Sequence, residues 1–151
     1  MQFLETPVQI GLTALLVIAA VVVLVRGGLP ERLAMVGVII ASLATPLVQD
    51  TTNLNEPQWG IMAVDSALFA AFAALTWRFP RPWLPWASAF QLITVMTHVG
   101  IALNANILGR AYLSTSYLLF FGVLIAICWG VARPERSRRD QLQGQDDVQR
   151  L

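Results

Sequence analysis

The sequence contains no lysine, a single cysteine and a single histidine, and charged residues make up only 13% of it. Soluble domains carry about 25% charged residues, so the composition argues against a soluble globular domain. One cysteine excludes an intramolecular disulfide and an all-cysteine metal site. One histidine excludes a haem held by two axial histidines of the same chain. The net charge of +1 gives no electrostatic reason to bind nucleic acid, and we expect no such partner.

Long apolar runs dominate what is present, and hydrophobic residues make up 56% of the chain. Five runs approach the roughly 20 residues that a helix needs to cross a bilayer. We therefore predict an all-α, polytopic membrane bundle in residues 1–132, without a soluble domain and with the lipid bilayer as its surroundings. The hydrophilic residues 133–151 lack an apolar stripe, so we expect a disordered cytoplasmic tail. The predicted spans are residues 7–25, 33–48, 59–77, 83–103 and 112–132.

Arginines alternate between the connections of these five spans. The first and third connections carry two each, the second carries none, the fourth carries one, and at least four follow the last span. Positive residues are enriched on the cytoplasmic side of membrane proteins. The pattern therefore predicts that the N-terminus lies outside and the C-terminus in the cytoplasm.

One carboxylate, Asp65, interrupts the apolar run of the third span. It follows Trp59 by six residues, so at 1.5 Å per residue it lies about 9 Å below the outer end of that helix. His98 precedes Leu103, at the outer end of the fourth span, by five residues, which places it about 7.5 Å below the same surface. The two side chains therefore share a depth, and they can meet if the third and fourth helices pack.

Further polar side chains gather near this depth. One face of the second span carries Thr45 and Gln49, and one face of the fourth carries Gln91 and Thr94. We expect the second to fifth helices to surround a polar pocket that opens outward, and the first helix to be peripheral and to face lipid. Such residues either bond helices together or handle a ligand or proton, and the sequence leaves both roles open. The candidate binding cluster is Asp65, His98, Gln91, Thr94, Thr45, Gln49 and Ser116.

Known catalytic arrangements fit these residues poorly. A catalytic zinc site needs three protein ligands, so Asp50 or Glu56 would have to join Asp65 and His98. A Ser-His-Asp triad would need Ser114 or Ser116, and no nucleophile elbow or oxyanion loop accompanies either. We therefore expect no metal and no cofactor, and assign no catalytic residue.

Small residues form a stripe on the third span, on the side opposite Asp65. Small side chains let membrane helices approach each other closely. We expect this helix either to be central in the bundle or to present the stripe to a second protomer or another membrane protein. The stripe includes Ala63, Ala67, Ala71 and Ala74.

Three stretches resemble a group of small proteobacterial membrane proteins without an assigned activity. They are GGLPERL at 27–33, W-G-x-x-A-V-D at 59–65, and W-x-P-W-A-x-x-F-Q followed by T-H at 83–98. The resemblance covers about residues 27–132 and implies a location in the bacterial inner (plasma) membrane. It supplies no catalytic residue.

Two functions follow as expectations. The first is a non-enzymatic accessory or interaction subunit, in which Asp65 and His98 bond the bundle near its outer face. The alternative is a small transporter, a proton-handling protein or a membrane-enzyme component, with an outward-facing polar site at the same two residues.

Overall fold

Five α-helices make up the computed structural model, which describes residues 5–49, 58–103 and 109–132, with side chains described for 10–49, 58–103 and 115–132. The predicted all-α class is confirmed. The predicted tail, 133–151, lies outside the described residues. The helices are α1 (Glu5–Arg26), α2 (Leu29–Val48), α3 (Trp59–Arg78), α4 (Leu84–Leu103) and α5 (Gly109–Ala132).

Four of the helices contain stretches long and apolar enough to cross a membrane: all of α2, α3 and α4, and the Thr115–Ala132 part of α5. The apolar part of α1 with described side chains is shorter, Ile10–Arg26. Continuous helix suits such sequences because every backbone N–H and C=O in hydrocarbon must find its partner within the segment.

The helices pack in chain order, with α4 between α3 and α5 and with α2 against α3. Among the described helices, α1 contacts α2 and α5, and α2 also contacts α5. Since α3 and α4 likewise contact two helices each, the peripheral, lipid-facing place expected for α1 stays a prediction. The contacts of α1 use one stripe that includes Leu15, Ala19 and Val23, while Val17 and Val21 face outward. The largest fully buried side chains are Phe72, Met35, Leu84, Ile127, Val23 and Val38.

The start of α2 differs from the prediction. The helix begins at Leu29 rather than at residue 33, after Gly28 in an extended conformation. Pro30 lies in the first turn, where its missing N–H costs nothing because those N–H groups have no helical partner. Glu31, also in the first turn, is favoured by the positive end of the helix dipole. The sequence between the first two spans is therefore mostly helix, and Glu31 belongs to the bundle.

The exposure of the alanine stripe excludes the first of the two arrangements expected for α3, a central place in the bundle, and contact of the stripe with a partner stays a prediction. Ala63, Ala67, Ala71 and Ala74 are exposed on the protomer, whereas Leu68 and Phe72 on the other side are buried. The helix is therefore not enclosed by its own bundle, and the stripe faces outward.

Candidate functional site

Asp65 of α3 and His98 of α4 are in direct contact. The Nε2 atom of His98 lies 2.9 Å from Oδ2 of Asp65. The side chain of His98 is 5% exposed and that of Asp65 is 18% exposed. The contact predicted from their shared depth is confirmed. It follows from the antiparallel packing of α3 against α4, which brings the start of one helix beside the end of the other.

Gln91 completes the arrangement from the same face of α4, two turns before His98. Its Nε2 amide donates to Oδ1 of Asp65 at 2.9 Å and to the main-chain carbonyl of Asp65 at 3.3 Å. Gln91 is 4% exposed. Residues seven apart lie on one side of a helix, so a single stripe of α4 reaches both oxygens of one carboxylate. We call Asp65, Gln91 and His98 the Asp65 cluster.

These bonds explain how a carboxylate is tolerated in an apolar bundle. Removing an ionised carboxylate from water is costly unless it is paired and hydrogen-bonded, and both Asp65 oxygens have partners. Every buried side-chain N or O atom in the described part of the chain likewise has a hydrogen-bond partner. Chemically, the cluster can share one proton along the line between Oδ2 and Nε2, and the contact becomes an ion pair when the imidazole is protonated.

The other predicted candidates do not join this cluster through the described hydrogen bonds. The hydroxyl of Thr45 donates to the Ala41 carbonyl at 2.8 Å, and the hydroxyl of Thr94 donates to the Phe90 carbonyl at 3.1 Å. Each threonine hydroxyl therefore has its hydrogen-bond acceptor within its own helix. Gln49 is exposed after the end of α2, and Ser116 of α5 is half-buried. Three of the seven candidates are brought together, at the α3–α4 interface, and the four-helix pocket stays a prediction.

A metal site would need more donors than the described residues supply. In residues 10–49, 58–103 and 115–132, no three His, Cys, Asp or Glu side chains lie close enough together to hold a metal ion. Asp50 and Glu56, the two alternatives for the third zinc ligand, and Ser114, one of the two serines named for a triad, lie outside the described side chains.

A second polar contact joins α3 and α4 closer to their connection. The hydroxyls of Thr76 and Ser88 are 3.1 Å apart, and Thr76 also donates to the Phe72 carbonyl at 2.8 Å. The two helices are therefore bonded by side chains at two levels.

A buried polar pair that was not predicted from the sequence lies at the end of the bundle with the α1–α2 and α3–α4 connections. We call this the arginine-rich end, after Arg26, Arg32, Arg78 and Arg81. The indole Nε1 of Trp83 donates to Oε1 of Glu31 at 3.0 Å. Glu31 is 3% exposed and Trp83 is 2% exposed. The indole also lies against α5, because a Cβ built on Gly130 would be 2.5 Å from Trp83 Nε1.

A signal for Glu31 was present in the sequence. Glycine followed within three residues by proline and an acidic residue is typical of a helix start. Reading Gly28, Pro30 and Glu31 that way would have placed Glu31 inside the bundle. Trp83 was predicted as the first residue of the fourth span, and its burial against α2 and α5 depends on tertiary packing.

No family model, curated protein or solved structure matches this chain.

Proposed function

We propose that this chain is a non-enzymatic accessory or interaction subunit of the bacterial inner membrane, in which the Asp65 cluster bonds α3 to α4. The observation that carries the proposal is that each oxygen of the Asp65 carboxylate has a side-chain partner. One oxygen accepts from Gln91 and the other contacts His98, at 2.9 Å each. A carboxylate whose two oxygens are engaged by one neighbouring helix fixes the register of that helix pair.

The location and orientation belong to the same proposal. The connection between α1 and α2 and that between α3 and α4 lie at one end of the bundle. Arg26 and Arg78 end the helices that lead into them, Arg32 lies in the first turn of α2, and Arg81 lies in the α3–α4 connection. By the positive-inside tendency this end faces the cytoplasm, so the N-terminus is outside. The Asp65 cluster is then in the outer part of the membrane.

A second candidate function rests on the exposure of Asp65. Its side chain is 18% exposed, whereas His98 is 5% exposed, so the carboxylate is the member through which a proton or small ligand would enter. In this alternative the chain is a small transporter, a proton-handling protein or a membrane-enzyme component. In this role a proton would move between Oδ2 of Asp65 and Nε2 of His98.

Asp65→Asn and Asp65→Ala separate the two functions. Asparagine keeps an oxygen acceptor for Gln91 and an amide that can donate to a neutral His98, whereas alanine removes both contacts. The bonding role predicts that Asp65→Ala lowers the thermal stability in detergent, that Asp65→Asn retains most of it, and that vesicles with the wild-type protein are no more proton-permeable than protein-free vesicles. If the wild-type protein conducts protons, and a folded Asp65→Asn variant does not, the second function is established and the first is overturned.

The exposed alanine face of α3 is the surface that we propose for a partner, either a second copy or another membrane protein. Ala63, Ala67, Ala71 and Ala74 present almost no side chain beyond Cβ, so a second helix can approach closely. In membranes such close packing contributes directly to association, since lipid and apolar side chains differ little in hydrophobicity.

A further inference from the structure

Among the described residues, the arginine-rich end of the bundle exposes positive charge and buries the acidic side chain of Glu31. Arg26, Arg32 and Arg78 are exposed, while Glu31, in the first turn of α2 beside Arg32, is 3% exposed. The Glu31 carboxylate points to the indole of Trp83, to which it is bonded at 3.0 Å. It is therefore withheld from the surface on which the arginines lie.

The Glu31–Trp83 bond also joins two parts of the chain that lie near the arginines. Glu31 lies in the first turn of α2, and Trp83 lies in the connection between α3 and α4. A buried hydrogen bond between them ties the start of α2 to that connection. Arg32 is steadied by donation to the Val25 carbonyl at 3.4 Å, and the Arg78 guanidinium lies 5.4 Å from the centre of the Phe79 ring.

The neighbouring aromatic residues place this surface at headgroup level. Trp77, which precedes Arg78, is 95% exposed, and Trp86 in the first turn of α4 is 59% exposed. Tryptophan is enriched at the membrane–water interface. Guanidinium groups at that level meet lipid phosphates, which they can contact through two parallel N–H donors.

We propose that Arg32 and Arg78 form a binding surface for the headgroups of anionic phospholipids. Anionic lipids attract basic side chains beside the membrane, with about a fivefold gain in affinity for each arginine. A zwitterionic lipid carries its own positive group next to the phosphate, so each arginine increases its affinity much less. The surface is distinct from the Asp65 cluster, and the proposal does not depend on the function of that cluster.

A lipid titration of the purified full chain in neutral detergent tests the proposal. Phosphatidylglycerol is expected to raise the thermal unfolding temperature with a saturable midpoint, and phosphatidylcholine at the same concentrations is expected to raise it much less. Arg32→Gln combined with Arg78→Gln should raise the midpoint for phosphatidylglycerol roughly 30-fold, because two guanidinium contacts are lost. An unchanged midpoint in that double variant overturns the proposal.

Arg110→Gln is the control matched to the single variant Arg78→Gln, because each removes one arginine charge and Arg110 belongs to α5 at the opposite end of the bundle. The phosphatidylglycerol midpoint of Arg110→Gln should equal that of the wild type. A rise of about fivefold, as expected for Arg78→Gln, would mean that net charge alone causes the effect and would overturn the proposal. Inorganic phosphate that reproduces the whole shift would overturn it as well, since lipid would not be needed. If the double variant does not fold, Arg78→Gln alone serves: a midpoint about fivefold higher supports the proposal, and an unchanged one contradicts it.

Discussion

His98 Nε2 and Asp65 Oδ2 lie 2.9 Å apart although their residues are 33 positions apart in the chain. The contact belongs to the Asp65 cluster, in which Gln91 of α4 also bonds to Asp65. At a second level of the described residues, the hydroxyls of Thr76 and Ser88 join the same two helices. At the arginine-rich end, Trp83 continues the series by bonding to Glu31 of α2. Side-chain hydrogen bonds thus connect α3 and α4 at two levels and tie their connection to α2.

The coupling between Asp65 and His98 is measurable by a double-mutant cycle. Asp65→Ala and His98→Ala should each destabilise the protein, because each leaves a polar partner without its bond. The double variant should lose less than the sum of the two, with a coupling energy of about 0.6 to 1.7 kcal/mol, as found for hydrogen bonds within membranes. Chemical or thermal unfolding in detergent supplies the values, and strictly additive losses would exclude a direct interaction.

Removal of the indole N–H from Trp83 should expose the cost of a buried carboxylate. Trp83→Phe keeps an aromatic ring but leaves Oε1 of Glu31 without that donor, so the free energy of unfolding should fall by roughly 1 to 3 kcal/mol. Adding Glu31→Gln to Trp83→Phe should restore part of the loss, since a neutral amide is cheaper to bury than a carboxylate.

Trp86→Phe is the control for this pair, because Trp86 is exposed and its replacement should change stability by no more than about 0.5 kcal/mol. Thermal unfolding of the four proteins decides the matter. If Glu31→Gln fails to improve Trp83→Phe, the buried charge is not the source of the loss.

The Asp65–His98 pair was predicted from the sequence, and the Glu31–Trp83 pair was not. Asp65 and His98 were predictable because helix rise converts sequence position into depth, and because neighbouring antiparallel spans bring equal depths together. Gln91 followed from helical spacing. The threonine at 45 shared a depth with them, but depth does not say which way a helix is rotated, and its hydroxyl bonds within its own helix.

Glu31 and Trp83 were missed for a different physical reason. The hydrophobic pattern defines where a span is apolar, and α2 extends four residues beyond that pattern through Leu29–Arg32. Helix caps and first turns are polar, so hydropathy alone places them in a loop. The burial of Trp83 additionally requires the close approach of α5 at Gly130, which no local pattern encodes.

Gly60 should be sensitive to the addition of a single methyl group. A Cβ at this position would lie 2.6 Å from the main-chain carbonyl oxygen of Val48, and backbone atoms cannot rotate out of the way. Gly60→Ala must therefore push α3 from α2 and should cost about 1 to 3 kcal/mol. Gly11→Ala, where no neighbour lies within 4 Å of the added carbon, is the control and should be at least as stable as the wild type, because alanine is favoured over glycine in a helix by about 1 kcal/mol. Equal thermal stabilities for both variants would contradict the close α2–α3 contact.

The arginine pattern predicts the sidedness of every connection. Reporter fusions or single-cysteine labelling in a Cys128→Ser background should find residues 50–58 outside, and residues 79–82 and 133–139 in the cytoplasm. The physical reason is that the loops with two or more arginines resist translocation. Cytoplasmic labelling of residues 50–58 would reverse the orientation and move the Asp65 cluster to the inner side of the membrane.

The alanine face of α3 should matter for association but not for the fold of one protomer. Ala67 and Ala71 are exposed, so replacing both by leucine creates no clash inside the bundle and should leave the thermal stability of the monomer nearly unchanged. If the face packs against a second copy, the added side chains separate the helices, and cross-linking or single-molecule photobleaching in liposomes should show fewer dimers than for the wild type. Replacing Val17 and Val21, on the exposed side of α1, by leucine gives a control on another helix. Dimer fractions that are equal in all three proteins would assign self-association, if any is observed, to a different surface.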